Sequence, residues 1–268
     1  MDLQPVGIHH PRVKHLLALQ ANQTPNRHQR FIAEGLWAHE VLLDAGTEID
    51  TFLLCPDALR SDVARTIVAP LTARARHSYE ISRRTLERLS ERDAPDGLLS
   101  IADMPQWDPD RLDLSEPALA LVADAVEIPG NLGTLIRTMD GCAADVLVLT
   151  NRRTRMTHPK VFRGSHGMSV RVPYVDFEQP DDAARWLQDR GFALYLADAN
   201  GATAYRSVPY AARSALVVGN ERYGISAPWY AHGAMPVTIP MLGQADSLNV
   251  SISASVLMYE IRARQSGW

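Results

Sequence analysis

Three segments of the 268-residue chain carry side chains able to do chemistry, and each follows a short apolar run of the kind that forms buried strands. The first is Glu127-Ile-Pro-Gly-Asn-Leu-Gly-Thr-Leu-Ile-Arg-Thr138. Asn131 there suits a helix N-cap, Gly133 permits close backbone approach, and Arg137 falls in the second helical turn. Arg137 reaches the strand ends only if its face of the helix lines a site. The second segment is Leu216-Val-Val-Gly-Asn-Glu-Arg-Tyr-Gly224, where Gly219 ends a strand and leaves backbone N–H and C=O groups open to a ligand. Its glycine spacing is neither GxGxxG nor a P-loop. The third runs from Val237 to Ser251, with a strand stopping at Pro240, Gly243 in a loop, and Ser247 placed to cap the last helix. Taken singly, the first two read better as ordinary structure, a capped helix with a solvated Arg137 and a turn with an exposed Glu221, and the third is also a packing helix rich in small residues (Ser251, Ser253, Ala254, Ser255).

The elements that must hold these segments are legible in outline. Residues 118–126, 145–150, 193–198, 214–219 and 236–240 are short apolar runs, read as five strands. Helical spacing falls between or after them at 133–141, 181–190 and 247–264. Apolar strands alternating with helices predict a parallel α/β sheet covered on both faces. Ligands of such sheets bind beyond the carboxyl ends of the strands, where the three segments lie. In the first hundred residues the spacing predicts helices over 31–45, 60–69 and 82–89 and a strand at 51–54. Between the halves, residues 103–117 (DMPQWDPDRLDLSEP) lose apolar periodicity and read as a linker. The domains expected are therefore 1–102 and 118–268, on either side of that linker.

Composition bounds the function. With 46% apolar residues, the chain can bury a sizeable core. A net charge of −4 excludes a bulk-basic nucleic-acid binder, so any RNA contact must use local patches. Cys55 and Cys142 show no metal-type spacing and read as buried free thiols suited to a reducing cytoplasm. The N-terminus lacks a signal-type apolar region, and no apolar run is long enough to span a bilayer, so the expectation is a cytoplasmic protein with no membrane association. His9, His10 and His15 lack the spacing and carboxylate of a zinc site, so no metal is expected.

In this order within one half-chain, the three segments resemble the SpoU/TrmH-type (SPOUT) RNA 2′-O-ribose methyltransferases. That family carries N-x-G-x-x-x-R-T, then G-x-E-x-x-G, then I-P-M-x-G and S-L-N-V-S; here these are 131–138, 219–224 and 239–251. The stretches RFIAEGLWAHEVLLDAG and TFLLCPD are similar to the small ribosomal-protein-like RNA-binding domain often fused to such enzymes. The resemblance implies a parallel sheet with a C-terminal trefoil knot, a homodimer through the knot region, and S-adenosylmethionine as cofactor. It places Ala197, Gly219, Ile239 and Leu248 at the cofactor, and Asn131, Arg137, Glu221, Ser247 and Asn249 around the reacting centre.

The implied reaction is displacement at a methyl carbon by a ribose 2′-hydroxyl, most simply of 23S ribosomal RNA, an antibiotic-resistance role included. The difficult part is making an alcohol nucleophilic, so positioning and stabilisation of the developing alkoxide should dominate. A guanidinium keeps its charge in proteins. Arg137 is therefore expected to hold the neighbouring phosphate and lower the hydroxyl pKa rather than take its proton. Asn131 would orient Arg137 or the ribose, and Glu221 is open to a structural or a proton-accepting role.

Two acid-free stretches are candidate RNA contacts. Residues 3–33 carry Arg12, Lys14, Arg27 and Arg30, and residues 151–171 carry Arg152, Arg153, Arg155, Lys160 and Arg163. Rival readings are the same reaction on tRNA, a non-catalytic RNA-binding protein with this fold, and a nucleotide-binding oxidoreductase. The last is disfavoured by the missing GxGxxG.

Overall fold

The computed structural model describes residues 3–21 and 26–267; positions 22–25 of the acid-free N-terminal stretch lie outside them. The chain divides into two compact units, Met1–Pro105 with Met156–Phe162, and Gln106–Arg155 with Arg163–Trp268.

The first unit contains β1 (Gln4–Val6), α1 (Pro11–Gln20), β2 (Arg30–Glu34), α2 (Leu36–Asp44), β3 (Ile49–Leu54), α3 (Asp62–Thr66), α4 (Val68–Arg74), β4 (His77–Ile81), α5 (Arg83–Leu89) and β5 (Leu98–Asp103). Its strands form one mixed sheet in the order β1-β4-β3-β5-β2, with β5 antiparallel to both neighbours. Val13, Leu16, Leu53, Leu86, Leu99 and Ile101 share its core. The single helix expected over 31–45 is a strand and then a helix. Gly35 at φ 90° makes the break, in a backbone region that favours glycine. The helix expected over 60–69 is two, because Pro70 has no N–H to continue the ladder.

The second unit is built from β6 (Ala118–Asp124), α6 (Pro129–Gly141), β7 (Val146–Thr150), β8 (Tyr174–Phe177), α8 (Pro180–Asp189), β9 (Ala193–Ala197), β10 (Thr203–Ala204), β11 (Arg213–Val218), α9 (Ala227–Ala231), β12 (Met235–Thr238) and α10 (Val250–Ser266); α7 (Pro159–Gly164) lies between β7 and β8 in the chain. Seven strands run parallel in the order β10-β12-β9-β11-β6-β7-β8. All five strands read from sequence are present; β8 and β10 are additions at the edges. Every residue of β6 is buried, which explains its uninterrupted apolar run: helices cover both faces. From β6 the chain moves outward through β7 and β8, then returns to build β9, β11 and β12 on the other side. The boundary between β6 and β11 is thus the switch point, where the segments leaving the two strand ends diverge and leave a crevice.

Cys55 and Cys142 are both buried and free, and burial pushes both thiols up. Among the described residues no helix is long and apolar enough to cross a membrane.

Candidate active site

The crevice is assembled by hydrogen bonds among residues distant in the chain. Helix α6 begins two residues before the expected cap, with Ile128 at the N-cap position and Pro129 at the first helical position. Asn131 is therefore inside the helix and not its cap. The capping group is Glu221, whose carboxylate accepts from the backbone N–H of Glu127 (3.1 Å) and Ile128 (3.2 Å). A carboxylate over a helix N-terminus is doubly favoured, by these bonds and by the helix dipole. Freed from capping, Asn131 donates through Nδ2 to Glu221 Oε1 (2.8 Å) and accepts through Oδ1 from Asn249 Nδ2 (3.2 Å). Asn249 is the N-cap of α10, its Oδ1 accepting from the Ser251 N–H at 2.9 Å. Ser247, the expected cap, lies three residues before the helix, and its hydroxyl donates to Asp246 instead. One chain of side chains, Glu221–Asn131–Asn249, thus ties the three segments together.

Desolvation is the largest influence on the Glu221 carboxyl and would raise its pKa. The bonds from Asn131 and from the backbone N–H groups of Glu221, Glu127 and Ile128 outweigh it, and the pKa is lowered. Glu221 is accordingly a fixed anion that organises the site, and a poor proton acceptor.

Asn131, Ala197, Gly219, Glu221, Ser247, Leu248 and Asn249 all line one cavity of about 630 Å³. Ile239 lines a smaller adjoining pocket of about 100 Å³, which shares Ala197, Ser247 and Leu248 with the first. All four residues expected at the cofactor and four of the five expected at the reacting centre therefore converge. Arg137 does not: it is exposed, lines neither cavity, and makes no hydrogen bond or ion pair among the described residues. Six residues of helix leave it roughly 120° around the axis from Asn131.

Gly219 is a glycine for a reason the sequence did not disclose. A Cβ there would lie 2.2 Å from the Gly224 carbonyl carbon, because the loop folds straight back on itself. Asn220 and Gly224 exchange backbone hydrogen bonds of 2.9 Å in both directions. The expected close approach at Gly133 is also real: its Cβ would meet the Gly164 backbone at 2.9 Å.

Sequence reasoning missed Asp198, Asn200, Tyr223 and Tyr230, all of which line the larger cavity. Tyr230 donates to Asp198 Oδ2 at 2.8 Å; burial first, and then this bond, push its hydroxyl up to about 12. Asp198 directly follows the β9 run, so its position just past a strand end was the available signal.

The expected RNA contacts separate into two sets. Arg12 and Arg30 pair with Asp50 at 2.9 and 2.7 Å, and Arg30 also with Asp103 at 2.9 Å. Asp50 is 2% exposed, and a buried carboxylate requires such partners. Arg152 pairs with Asp176 at 3.0 Å. Lys14, Arg27, Arg153 and Lys160 are exposed and form no ion pair among the described residues, whereas Arg155 and Arg163 are exposed but engaged with other groups. Among the described residues no cluster of three His, Cys, Asp or Glu side chains is placed to hold a metal ion.

Residues 118–259 match the SpoU rRNA Methylase family, and residues 10–100 match the MRM3-like substrate binding domain. The chain is 30% identical over 184 residues to the 23S rRNA (guanosine(2553)-2′-O)-methyltransferase RlmP of Bacillus subtilis, covering 69% of this chain and 72% of that protein. It is 28% identical over 253 residues to the 23S rRNA (uridine(2479)-2′-O)-methyltransferase of Streptomyces viridochromogenes, covering 90% and 88%. Its fold superposes with a TM-score of 0.87, at 26% identity, on the crystal structure of the SpoU methyltransferase AviRb from Streptomyces viridochromogenes in complex with the cofactor AdoMet, covering 96% of this chain and 99% of that one. With all the strands from β6 to β12 and the strand-end crevice spanned by the family match, which covers more than half of the chain, the chain belongs to the SpoU rRNA Methylase family.

Proposed function

We propose that this chain transfers the methyl group of S-adenosylmethionine to a ribose 2′-hydroxyl of 23S ribosomal RNA. The observation that carries this reading is the Glu221–Asn131–Asn249 hydrogen-bond chain on the wall of a cavity that also gathers Ala197, Gly219 and Leu248. The residues present fit the cofactor. The cavity falls within the roughly 300–1,000 Å³ of small-molecule sites. The adjoining pocket offers Val237, Ile239, Met241 and Leu257 to an apolar group. The absence of a Cβ at Gly219 lets the 219–224 loop close into the wall.

The cofactor supplies a methyl carbon on a sulfonium leaving group. The protein supplies positioning. Gly219, Ile239, Leu248 and Ala197 hold the donor; Glu221 locks the start of α6 and, through Asn131, the cap of α10; Ser247 and Asn249 face the space where the ribose must enter. Arg137 binds the phosphate beside the target ribose and lowers the pKa of its hydroxyl. Lying outside the cavity, it acts when RNA or a second copy completes the site.

The finer architecture follows the same reading. Residues 1–102 bind substrate RNA, 103–117 link, and 118–268 form the catalytic domain, whose C-terminal segment threads a trefoil knot. The chain acts as a cytoplasmic homodimer joined through α10, which exposes Ile252 and Tyr259 on one face, 51% and 43% accessible. Gly141, one turn beyond Arg137, lies against Tyr259: a Cβ there would sit 3.0 Å from its hydroxyl. Arg137 therefore borders that face. Lys14, Arg27, Arg153, Arg155, Lys160 and Arg163 contact RNA phosphates, while Arg12, Arg30 and Arg152 hold acids in place.

The test is incubation of the purified chain with methyl-labelled S-adenosylmethionine and total RNA, followed by mapping of the new 2′-O-methyl group. Label in 23S ribosomal RNA is the expected result. Label confined to tRNA, or cofactor binding without transfer, would overturn it.

A further inference from the structure

We infer that Tyr223, with Arg222, is the stacking platform for the base of the target nucleotide, an inference that rests on the cavity being the methyl-transfer site. Tyr223 lines the cavity yet is 76% exposed. Its loop is rigid without help from its ring. Beyond the reciprocal Asn220–Gly224 bonds, Asn220 Oδ1 accepts from the N–H groups of Arg222 (2.9 Å) and Tyr223 (3.1 Å). Asn220 is itself anchored through Nδ2 to the Ala125 carbonyl at 2.9 Å. The ring is thus held outward on a fixed mount that has no structural use for it.

Beside it stands a cation. The Arg222 guanidinium lies 5.3 Å from the Tyr223 ring centroid, and among the described residues it has no carboxylate partner. An exposed ring with a guanidinium over it that holds no carboxylate matches the two parts of a nucleotide, a base to stack and a phosphate to pair. Ile128, 50% exposed, offers a second apolar surface on the same cavity. The other cavity tyrosine is otherwise engaged, its hydroxyl given to Asp198, whereas the Tyr223 hydroxyl has no partner among the described residues. A target nucleotide in a loop or bulge, splayed out of the RNA stack, would bring its ribose to the cavity, and an enzyme-side ring would replace the stacking lost.

The experiment compares wild type, Tyr223→Phe and Tyr223→Ala in the full-length protein, reading KM for ribosomal RNA, kcat, and calorimetric Kd for S-adenosylmethionine. Base–aromatic stacking predicts a rise of roughly tenfold or more in KM for Tyr223→Ala, with cofactor Kd unchanged within about twofold. Tyr223→Phe keeps the ring and should stay within about threefold of wild type in KM. Arg222→Gln should raise KM less than Tyr223→Ala and flatten its salt dependence. An unchanged KM in Tyr223→Ala, or an equal loss in Tyr223→Phe, would overturn the inference. So would a weakened cofactor Kd in Tyr223→Ala, which would put the ring over the cofactor instead. A wild-type protein that methylates no RNA removes the functional reading itself and the platform with it.

Discussion

At the scale of single residues, the site depends on side chains whose roles differ from their local appearance. Asn131 looks like a helix cap and is instead the middle of a relay; the cap is Glu221, ninety positions away in the chain. Gly219 looks like a turn residue and is in fact a point of backbone contact. Gly219→Ala must push the 219–224 loop out of place, since the obstacle is backbone. A thermal melt should report a loss of about 1–3 kcal/mol, as for overpacked interiors. Calorimetry should show cofactor affinity falling at least about tenfold; affinity equal to wild type would mean the loop does not line the cofactor site. Arg137 makes a separate prediction. Arg137→Lys keeps the charge and loses the planar fork, so kcat should fall by about tenfold or more while cofactor Kd stays constant. Near-full turnover in the lysine variant would show that charge alone suffices.

At the scale of elements, α2 carries a titration that couples the first unit to pH. His39 is wholly buried, with Nδ1 2.7 Å from the Gly35 carbonyl and Nε2 2.8 Å from the Ser100 hydroxyl. The carbonyl can only accept, so Nδ1 carries the proton and Nε2 accepts from Ser100. Burial lowers the pKa of this imidazole to about 4, against an unfolded value of 6.5. The folded state therefore holds His39 neutral where the unfolded chain would protonate it. Its contribution is complete above pH 6.5 and is lost as the pH falls from there toward 4, roughly 3 kcal/mol in all. Urea denaturation at pH 7.5 and 4.5 checks this: His39→Gln, which does not titrate, should lose less stability between the two pH values than wild type does. Element boundaries were readable where a strand is buried on both faces, as in β6, and unreadable where a cap or break depends on distant groups. Local spacing alone merged β2 with α2, because Phe31, Ile32 and Ala33 fit a helical face as well as a strand buried on both sides.

At the scale of the whole molecule, the exposed side of α10 is the feature a lone copy leaves unexplained. Ile252 and Tyr259 stand two turns apart on that helix, and α6 packs beside it through the Thr138–Ser255 hydroxyl bond of 2.9 Å. If two copies meet there, Ile252→Glu should shift the sedimentation of the protein from dimer to monomer. It should reduce RNA methylation by tenfold or more with little effect on the melting temperature, since Ile252 supports no core in a single copy. A variant that remains dimeric, or an active monomer, would rule out that face as the functional interface.

The sequence by itself determined the alternation of apolar strands and helices, and it carried the three motifs in the order the family requires. Both are written in local order along the chain: burial on two faces demands unbroken apolar runs, and the chemistry recurs at set spacings. Only the tertiary structure decided which groups meet. It gave the cap of α6 to Glu221, the cap of α10 to Asn249, and left Arg137 outside the cavity. It also directed Arg12 and Arg30 to the buried Asp50. Hydrogen bonds and ion pairs act over about 3 Å in space with no regard for separation in sequence, so their partners are fixed only once the sheet has brought the strand ends together.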